Sequence, residues 1–269
     1  TQIVAENLNG SSGAMQAPIP GYRDWLNRVE LSGAGIVIAI CDTGVSRNAT
    51  NNSNGHVDLR GRQTAFIDYS GGFSTRDTER HGTHVAGIAV GNAATGKREG
   101  PPPNDFLRGQ GMAPGASFLN QNALEGPWPP ANWGTLTHDA VTNNAIVMNN
   151  SWWDGGPAGS GYTENSRRFD QLVRDPDPDT VFSAGNAGPA PRTITPPKEA
   201  KNPIVVGNSL TFGPGPVDDI RGISRSSSRG PARDGRLLPN VVAPGTDVSS
   251  ANAETVDDYV LMTGTSMAA

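Results

Sequence analysis

The sequence predicts an α/β fold with a doubly wound, mostly parallel central sheet and helices on both of its faces. Short apolar runs recur along the 269 residues, and segments with helical spacing separate them. Each apolar run is continuous rather than alternating, which is typical of strands buried on both faces of a parallel sheet. We therefore expect a single domain, residues 1–269, in which strand and helix alternate.

Six apolar runs are predicted to form the strands of this sheet, at residues 35–41, 64–67, 117–121, 145–150, 180–185 and 203–207. Three segments with helical spacing are predicted helices, at residues 81–91, 132–145 and 163–175. The chain also holds 34 glycines and 22 prolines, so much of it should be loop. Residues 91–111 and 126–132 have loop composition and are predicted to be surface insertions.

Composition and charge exclude several classes of partner. The formal net charge of −5 provides no basic field for a polyanion, so nucleic acid is not expected as a partner. No run approaches 18 apolar residues, and the start lacks the layout of a signal peptide. We expect a soluble chain without a membrane partner, whose targeting segment has been removed. Cys41 is the only cysteine, which excludes an internal disulfide, and we expect it to be a small buried hydrophobic residue.

Three polar residues stand where an open α/β sheet binds its ligands, near the carboxyl ends of strands. Asp42 follows the first predicted strand, His81 opens the first predicted helix, and Ser266 lies among small residues near the end of the chain. Taken singly, each has an ordinary structural explanation as a turn former, a helix-start residue or an N-cap. His81 and His84 also lack the spacing of a zinc-binding helix. Single residues therefore do not identify the chemistry.

The sequence motifs around these three residues, taken together, do indicate the chemistry. DTG at 42–44, HGTHVAG at 81–87 and GTSMA at 264–268 occur in the order Asp, His, Ser. From about residue 36 to its end the sequence resembles the subtilisin-like serine proteases, or subtilases. Further matches are HVDLRGR, GMAPGA, SAGNAGP, SSRGP and VVAPGT. The insertion before GMAPGA looks most like the larger extracellular alkaline-protease branch, which implies secretion.

The resemblance implies a serine endopeptidase that needs no cofactor for its chemistry. Ser266 would be the nucleophile and His81 its base, while Asp42 would hold the imidazole, as in the established template for subtilisin. Asn186 of SAGN would donate to the oxyanion beside the Ser266 backbone N–H. Two alternatives stay open: a catalytically silent subtilase that serves as a scaffold or binding module, and a peptide ligase or macrocyclase.

Polypeptide substrates would bind between two segments in this resemblance. Ser151, Trp152 and Trp153 match the strand that pairs with substrate, and Ser183, Ala184 and Gly185 match the opposite wall of the cleft. Most relatives carry glycine where Trp153 stands. This Trp would narrow the S1 pocket, which holds the side chain before the scissile bond, or form an apolar shelf for a residue further upstream. A third reading gives it no substrate role. TITPPKEAKNP at 193–203 resembles the floor of the S1 pocket, where we predict a cis bond between Pro196 and Pro197.

Two further features concern calcium and the end of the chain. Asp58 matches a residue that binds calcium in some subtilases, but the loop that would complete that site does not match, so a surface or cap role is an equal alternative. Metal ligands stay unassigned, with structural calcium possible. The chain ends three residues after Ser266, so we expect a truncated domain without the usual C-terminal helices, with a propeptide or a further C-terminal segment as a partner.

Overall fold

The computed structural model describes residues 22–46, 55–69, 77–99, 106–124, 133–174, 178–210 and 222–269. Within these ranges the central feature is a seven-stranded parallel sheet. Its strands, in spatial order, are β2 (Gln63–Asp68), β5 (Ser117–Asn122), β1 (Val37–Asp42), β6 (Ala145–Asn150), β7 (Asp179–Ser183), β8 (Ile204–Ser209) and β9 (Val241–Pro244). Strand β1 is the third of the seven and lies between β5 and β6. Since the strands are parallel, their carboxyl ends share one edge of the sheet.

Two small antiparallel pairs are formed by β3 (Arg98–Glu99) with β4 (Phe106–Leu107) and by β10 (Val248–Ala251) with β11 (Tyr259–Met262). The helices are α1 (Tyr22–Val29), α2 (His81–Val90), α3 (Trp133–Thr142), α4 (Glu164–Arg174) and α5 (Thr265–Ala268), with a 3-10 turn at Val57–Leu59.

Successive side chains of a strand point to opposite faces of the sheet, and both faces are buried against helices. On β1, Ala39 and Cys41 enter one apolar cluster together with residues of α3 and α4. Ile40 enters a second cluster with residues of α2 and α5. Two layers of helix therefore sandwich the sheet, and the predicted doubly wound α/β fold is confirmed.

The predicted strands and helices all form, with ends that differ by a few residues. The sequence interpretation missed α1, the β10–β11 hairpin and strand β9. Strand β9 was missed because VVAP carries only two strongly apolar residues, and it becomes a strand by pairing with β8 at the sheet edge. Of the predicted insertions, residues 91–111 close at their base through a Gly111 N–H to Gly91 C=O bond of 2.8 Å. The insertion at 126–132 lies outside the described residues.

Cys41 lies fully buried on β1, as predicted. Burial and the neighbouring Asp42 charge raise the pKa of its thiol, although a hydrogen bond with Trp152 opposes them. The thiol is therefore protonated and unreactive at neutral pH. Among the helices of the described ranges, none combines the length and the apolar character that a membrane crossing requires.

Candidate active site

Asp42 and His81 form a hydrogen-bonded pair at the carboxyl edge of the sheet. Asp42 is the last residue of β1 and His81 the first of α2, and His81 Nδ1 lies 2.6 Å from Asp42 Oδ1. The Asp42 side chain is almost fully buried, whereas 28% of the His81 side chain is exposed. A carboxylate only accepts, so Nδ1 carries the proton and donates it. Neutral His81 then has an unprotonated Nε2, which is the tautomer that a general base requires.

The N-terminus of α2 is held by residues outside the helix. Thr43 Oγ1 accepts the Gly82 N–H at 2.9 Å, and Asp77 Oδ2 accepts the Thr83 N–H at 2.7 Å. These acceptors satisfy backbone donors that a helix cannot pair internally. The Thr43 hydroxyl also donates to Asp77 Oδ1 at 2.8 Å, which links the end of β1 to the start of α2. Burial raises the pKa of Asp77 to about 6, against the effect of its hydrogen bonds with Thr83 and Thr43. This arrangement fixes where His81 lies.

Burial and neighbouring charges act on the pKa of His81 in opposite directions. Burial lowers its pKa by disfavouring the imidazolium, but the charge and hydrogen bond of Asp42 outweigh burial, and Asp77 adds to them. The pKa of His81 therefore lies above the ordinary value of 6.5. As a consequence, His81 becomes a neutral base only at a somewhat higher pH than an isolated histidine.

Ser266 lies in the first turn of α5, which packs against α2. Its Oγ donates to the Ser151 C=O at 3.4 Å, and the Ser151 hydroxyl donates back to the Ser266 C=O at 3.3 Å. A base that activates Ser266 directly would accept a hydrogen bond from its Oγ. Between Ser266 and His81 this bond is not formed, because Oγ turns toward Ser151. A rotation about one side-chain bond redirects Oγ, and catalytic hydrogen bonds often tighten only with bound substrate.

Thr265 connects Ser266 to Asn186, a contact that the sequence interpretation missed. Asn186 Oδ1 accepts the Thr265 N–H at 2.9 Å and the Thr265 hydroxyl at 3.0 Å. Since a backbone N–H can only donate, the oxygen of the amide must face Thr265 and Nδ2 points elsewhere. The Ser266 N–H lies at the start of a helix, where no carbonyl of the same helix reaches it. Two N–H donors, the Nδ2 of Asn186 and the backbone N–H of Ser266, therefore lie on neighbouring segments.

Comparison with known proteins places this arrangement in a family. Residues 33–269 match the profile of the subtilase family, the S8 peptidases. The chain belongs to the subtilase family. Serine protease AprX of Bacillus subtilis (strain 168) is 27% identical over 265 residues, which cover 90% of this chain and 56% of AprX. The thermophilic serine proteinase of Bacillus sp. (strain AK1) is 30% identical over 261 residues, covering 95% and 55% of the two chains. The chain thus spans about half the length of these relatives.

Solved protease structures share the fold. The S41 psychrophilic protease matches with a TM-score of 0.62 and 28% identity, over 88% of this chain and 74% of its own. A cold-adapted subtilisin-like serine proteinase matches with a TM-score of 0.62 and 21% identity, over 98% and 80% of the two chains, which supports the fold alone. The predicted family is confirmed, and the assignment to the extracellular alkaline-protease branch stays a prediction.

The two adjacent tryptophans of this subtilase have different environments. Trp152 is buried and stacks on Trp133, with ring centroids 4.7 Å apart and planes at 9°. Trp153 is 54% exposed. One buried and one exposed indole is the result expected if the segment is extended, because neighbouring side chains of an extended chain point to opposite sides. Trp153 is therefore the indole that is free to meet a substrate.

The remaining predicted cleft residues follow adjacent strands. Ser151 comes directly after β6, while Ser183 ends β7 and Ala184 and Gly185 follow it. Because β6 and β7 pair in parallel, the two segments leave the sheet side by side. The bond between Pro196 and Pro197 is cis, as predicted.

Asp58 is a buried acceptor in this subtilase. Its Oδ2 accepts the Tyr259 hydroxyl at 2.6 Å and its Oδ1 accepts the Thr95 N–H at 3.2 Å. The interpretation of Asp58 as a surface residue is wrong, because it has no exposed surface. Within the described ranges no three His, Cys, Asp or Glu side chains come together as a metal site. Asp58 therefore has no cluster of further acidic ligands around it in these ranges, and calcium stays a prediction.

His84 has a structural role on the inner face of α2. It is fully buried, and its Nε2 lies 3.0 Å from the carbonyl oxygens of both Val248 and Val260. Burial lowers its pKa to about 4, although both hydrogen bonds oppose that change. Neutral His84 therefore fastens α2 to the β10–β11 hairpin.

Proposed function

We propose that this chain carries a serine endopeptidase site that acts through an acyl-enzyme on Ser266. The 2.6 Å hydrogen bond between Asp42 and His81 carries the proposal, because it fixes the proton on Nδ1 and leaves Nε2 basic. A serine hydroxyl is a poor nucleophile at neutral pH and needs such a base.

The proposed reaction has two halves. Ser266 Oγ attacks the substrate carbonyl while its proton passes to His81 Nε2, and imidazolium forms beside the Asp42 carboxylate. His81 then gives that proton to the leaving amine as the C–N bond breaks. Water attacks the resulting ester with His81 again as base, which releases the acid and restores Ser266. All proton transfers use side chains of this chain and no cofactor.

Charge on the carbonyl oxygen would be stabilised by Asn186 Nδ2 and the Ser266 N–H. Thr265 holds Asn186 Oδ1 through two hydrogen bonds, so the amide is oriented before substrate arrives. Donors that are fixed in advance stabilise a transition state without the cost of reorganisation. This arrangement supports a role of Asn186 in turnover rather than in substrate affinity.

Replacing Asn186 with alanine should lower kcat by about 10²–10³-fold with little change in KM, which is the loss seen for the corresponding donor of subtilisin. Asn186→Asp is the matched control for structure, because it keeps an oxygen for Thr265 but loses the donor. Steady-state kinetics and thermal melting of both variants separate the two roles. A normal kcat for Asn186→Asp would show that Nδ2 does not contact the oxyanion.

Substrate selectivity upstream of the scissile bond should depend on Trp153. Extended substrates can pair with the backbone near Ser151 and Gly185 as an added strand, whatever the side chains are. An exposed indole beside that strand offers an apolar surface, and burial of an aliphatic side chain on it contributes about 1.5–3 kcal/mol. This corresponds to a preference of about tenfold or more.

Trp153→Gly should therefore broaden the cleavage profile and weaken the preference for apolar residues upstream. Trp153→Phe is the matched control, since it keeps an aromatic face and should keep most of the preference. Peptide-library cleavage read by mass spectrometry measures both profiles. Identical profiles for the parent and Trp153→Gly would mean that the indole faces away from substrate.

The setting of the enzyme is also a proposal. We propose secretion and maturation from a propeptide, supported by the resemblance to the extracellular branch of the family. Polypeptides are the proposed substrates. Separate assay of culture medium and cell extract, with N-terminal sequencing of the active species, tests both points. Activity confined to the cell extract would count against secretion.

Digestion of a peptide library by the full-length protein tests the proposed function. Internal cleavage with a new free carboxyl group is the expected product. Addition of an amine distinguishes hydrolysis from ligation, because a ligase would give mainly the amide. A folded protein that neither cleaves peptides nor reacts with a fluorophosphonate would be a silent scaffold.

A further inference from the structure

Lys198 is a buried lysine close to the proposed catalytic residues. Only 2% of it is exposed, and it follows Pro197 in a turn closed by a Lys198 N–H to Thr195 C=O bond of 3.1 Å. Its Nζ lies 3.6 Å from the point where a Cβ on Gly185 would stand. Gly185 directly precedes Asn186, so the ammonium lies behind the wall that carries the proposed oxyanion donor.

The Lys198 ammonium has no protein partner among the described residues. No hydrogen bond or ion pair reaches Nζ, and burial lowers the pKa of Lys198 to about 7, partly offset by the Asp154 charge. Asp154 forms no ion pair with Nζ; its Oδ1 accepts the Gly156 N–H at 2.9 Å and its Oδ2 accepts the Asn165 amide at 2.8 Å. A buried ammonium without a hydrogen-bonded counterion costs free energy.

A second polar group without a hydrogen-bond partner lies near the same Cβ position on Gly185. Thr195 Oγ1 is buried without a hydrogen bond, and it lies 3.5 Å from the Cβ position on Gly185. The Asp154 N–H donates to the Pro196 C=O at 3.1 Å, so the segment that follows Trp153 is joined to this same turn. The turn at 195–198 therefore contacts both walls of the cleft. It places the Lys198 amino group and the Thr195 hydroxyl near Gly185, and neither group has a hydrogen-bond partner among the described residues.

We propose that Lys198 determines specificity by pairing with the carboxylate of a glutamate or aspartate that precedes the scissile bond. The inference rests on the proposed endopeptidase function and names its substrate class. A carboxylate supplies the missing counterion, and Thr195 can donate to the same group. A lysine or arginine at this substrate position would bring a like charge to the buried ammonium and is excluded.

The test compares matched peptides that differ only at the residue before the scissile bond, with Glu, Gln or Leu there. The full-length protein should cleave the Glu peptide with kcat/KM about 100-fold above the Gln peptide at pH of about 7, as one close charge pair at an interface provides. Glu and Gln have nearly the same shape, so this ratio isolates charge. A ratio near one in the parent overturns the inference.

Lys198→Met removes the charge and keeps an apolar chain of similar length. Lys198→Met should bring the Glu-to-Gln ratio of kcat/KM close to one. Lys201→Met is the matched control, because it makes the same change three residues later on an exposed side chain that contacts the Tyr162 ring. This control should keep the parent ratio. Fluorophosphonate titration counts the active sites of each variant, so the ratio refers to folded protein. Retention of the parent ratio in Lys198→Met overturns the inference.

A binding measurement separates this inference from the proposed function. Calorimetry with Ser266→Ala measures the dissociation constants of the uncleaved Glu and Gln peptides. Their ratio reports the same preference without turnover. Tighter binding of the Glu peptide that is lost in Ser266→Ala/Lys198→Met supports the role of Lys198 even if hydrolysis is absent. Equal binding of the two peptides contradicts that role even if hydrolysis is present.

Discussion

Ser266→Ala should lower kcat for peptide hydrolysis by about 10⁶-fold, as removal of the nucleophile does in subtilisin. The loss is this large because the acyl-enzyme can no longer form, and only binding and oxyanion stabilisation remain. KM should change little, since the Ser266 N–H and the contacts of Asn186 with Thr265 do not require the hydroxyl. Steady-state kinetics with a peptide substrate give both constants.

Ser160→Ala is the control for this substitution. Its hydroxyl donates only to the Pro157 C=O in a loop, so its removal should leave kcat within about twofold. If Ser266→Ala kept more than about a hundredth of the parental kcat, another residue would be the nucleophile.

Asp42→Asn should lower kcat by about 10⁴-fold while leaving the fold intact. An asparagine amide can donate to Nδ1 of His81, which moves the ring proton to Nε2 and removes the base. The carboxylate also raises the pKa of His81 against burial, so its loss lowers that pKa. Because turnover requires neutral His81, the residual activity should reach its half-maximal value at a lower pH than in the parent. Profiles of kcat/KM against pH measure the change.

Asp77→Asn is the matched control for Asp42→Asn. Asp77 is a nearby buried carboxylate that also raises the pKa of His81, but it bonds to Thr43 and Thr83 rather than to the imidazole. Its replacement should shift the pH midpoint slightly downward with less than about a tenfold loss of kcat. Equal losses for the two variants would mean that charge, and not the Asp42–His81 hydrogen bond, sets the activity.

Local patterns in the sequence predicted most of the fold. The continuous apolar runs that became β1 and β6 are long enough to be recognised without tertiary information. Strands β10 and β11 were missed because VSSA and YVLM carry little periodicity, and they gain stability by contact with α2 through His84. Elements that depend on distant partners have no strong local signal.

The candidate site divides in the same way. Asp42, His81, Ser266 and Asn186 were chosen as candidates because each lies in a distinctive run of residues. Thr265 orients Asn186 from 79 positions away, and no local pattern shows that contact. A lysine after two prolines reads as a surface residue, since lysine is rarely buried. Only the three-dimensional arrangement brings Lys198 beneath Gly185.

The most direct test of the proposed catalytic site is to map a fluorophosphonate adduct on the full-length protein by mass spectrometry. We expect one adduct, on Ser266. It should form at the parental rate in Ser160→Ala and about 10⁶-fold more slowly in His81→Ala, because the hydroxyl loses its base. An adduct on another residue, or labelling of His81→Ala at the parental rate, would contradict the proposed roles of Ser266 and His81.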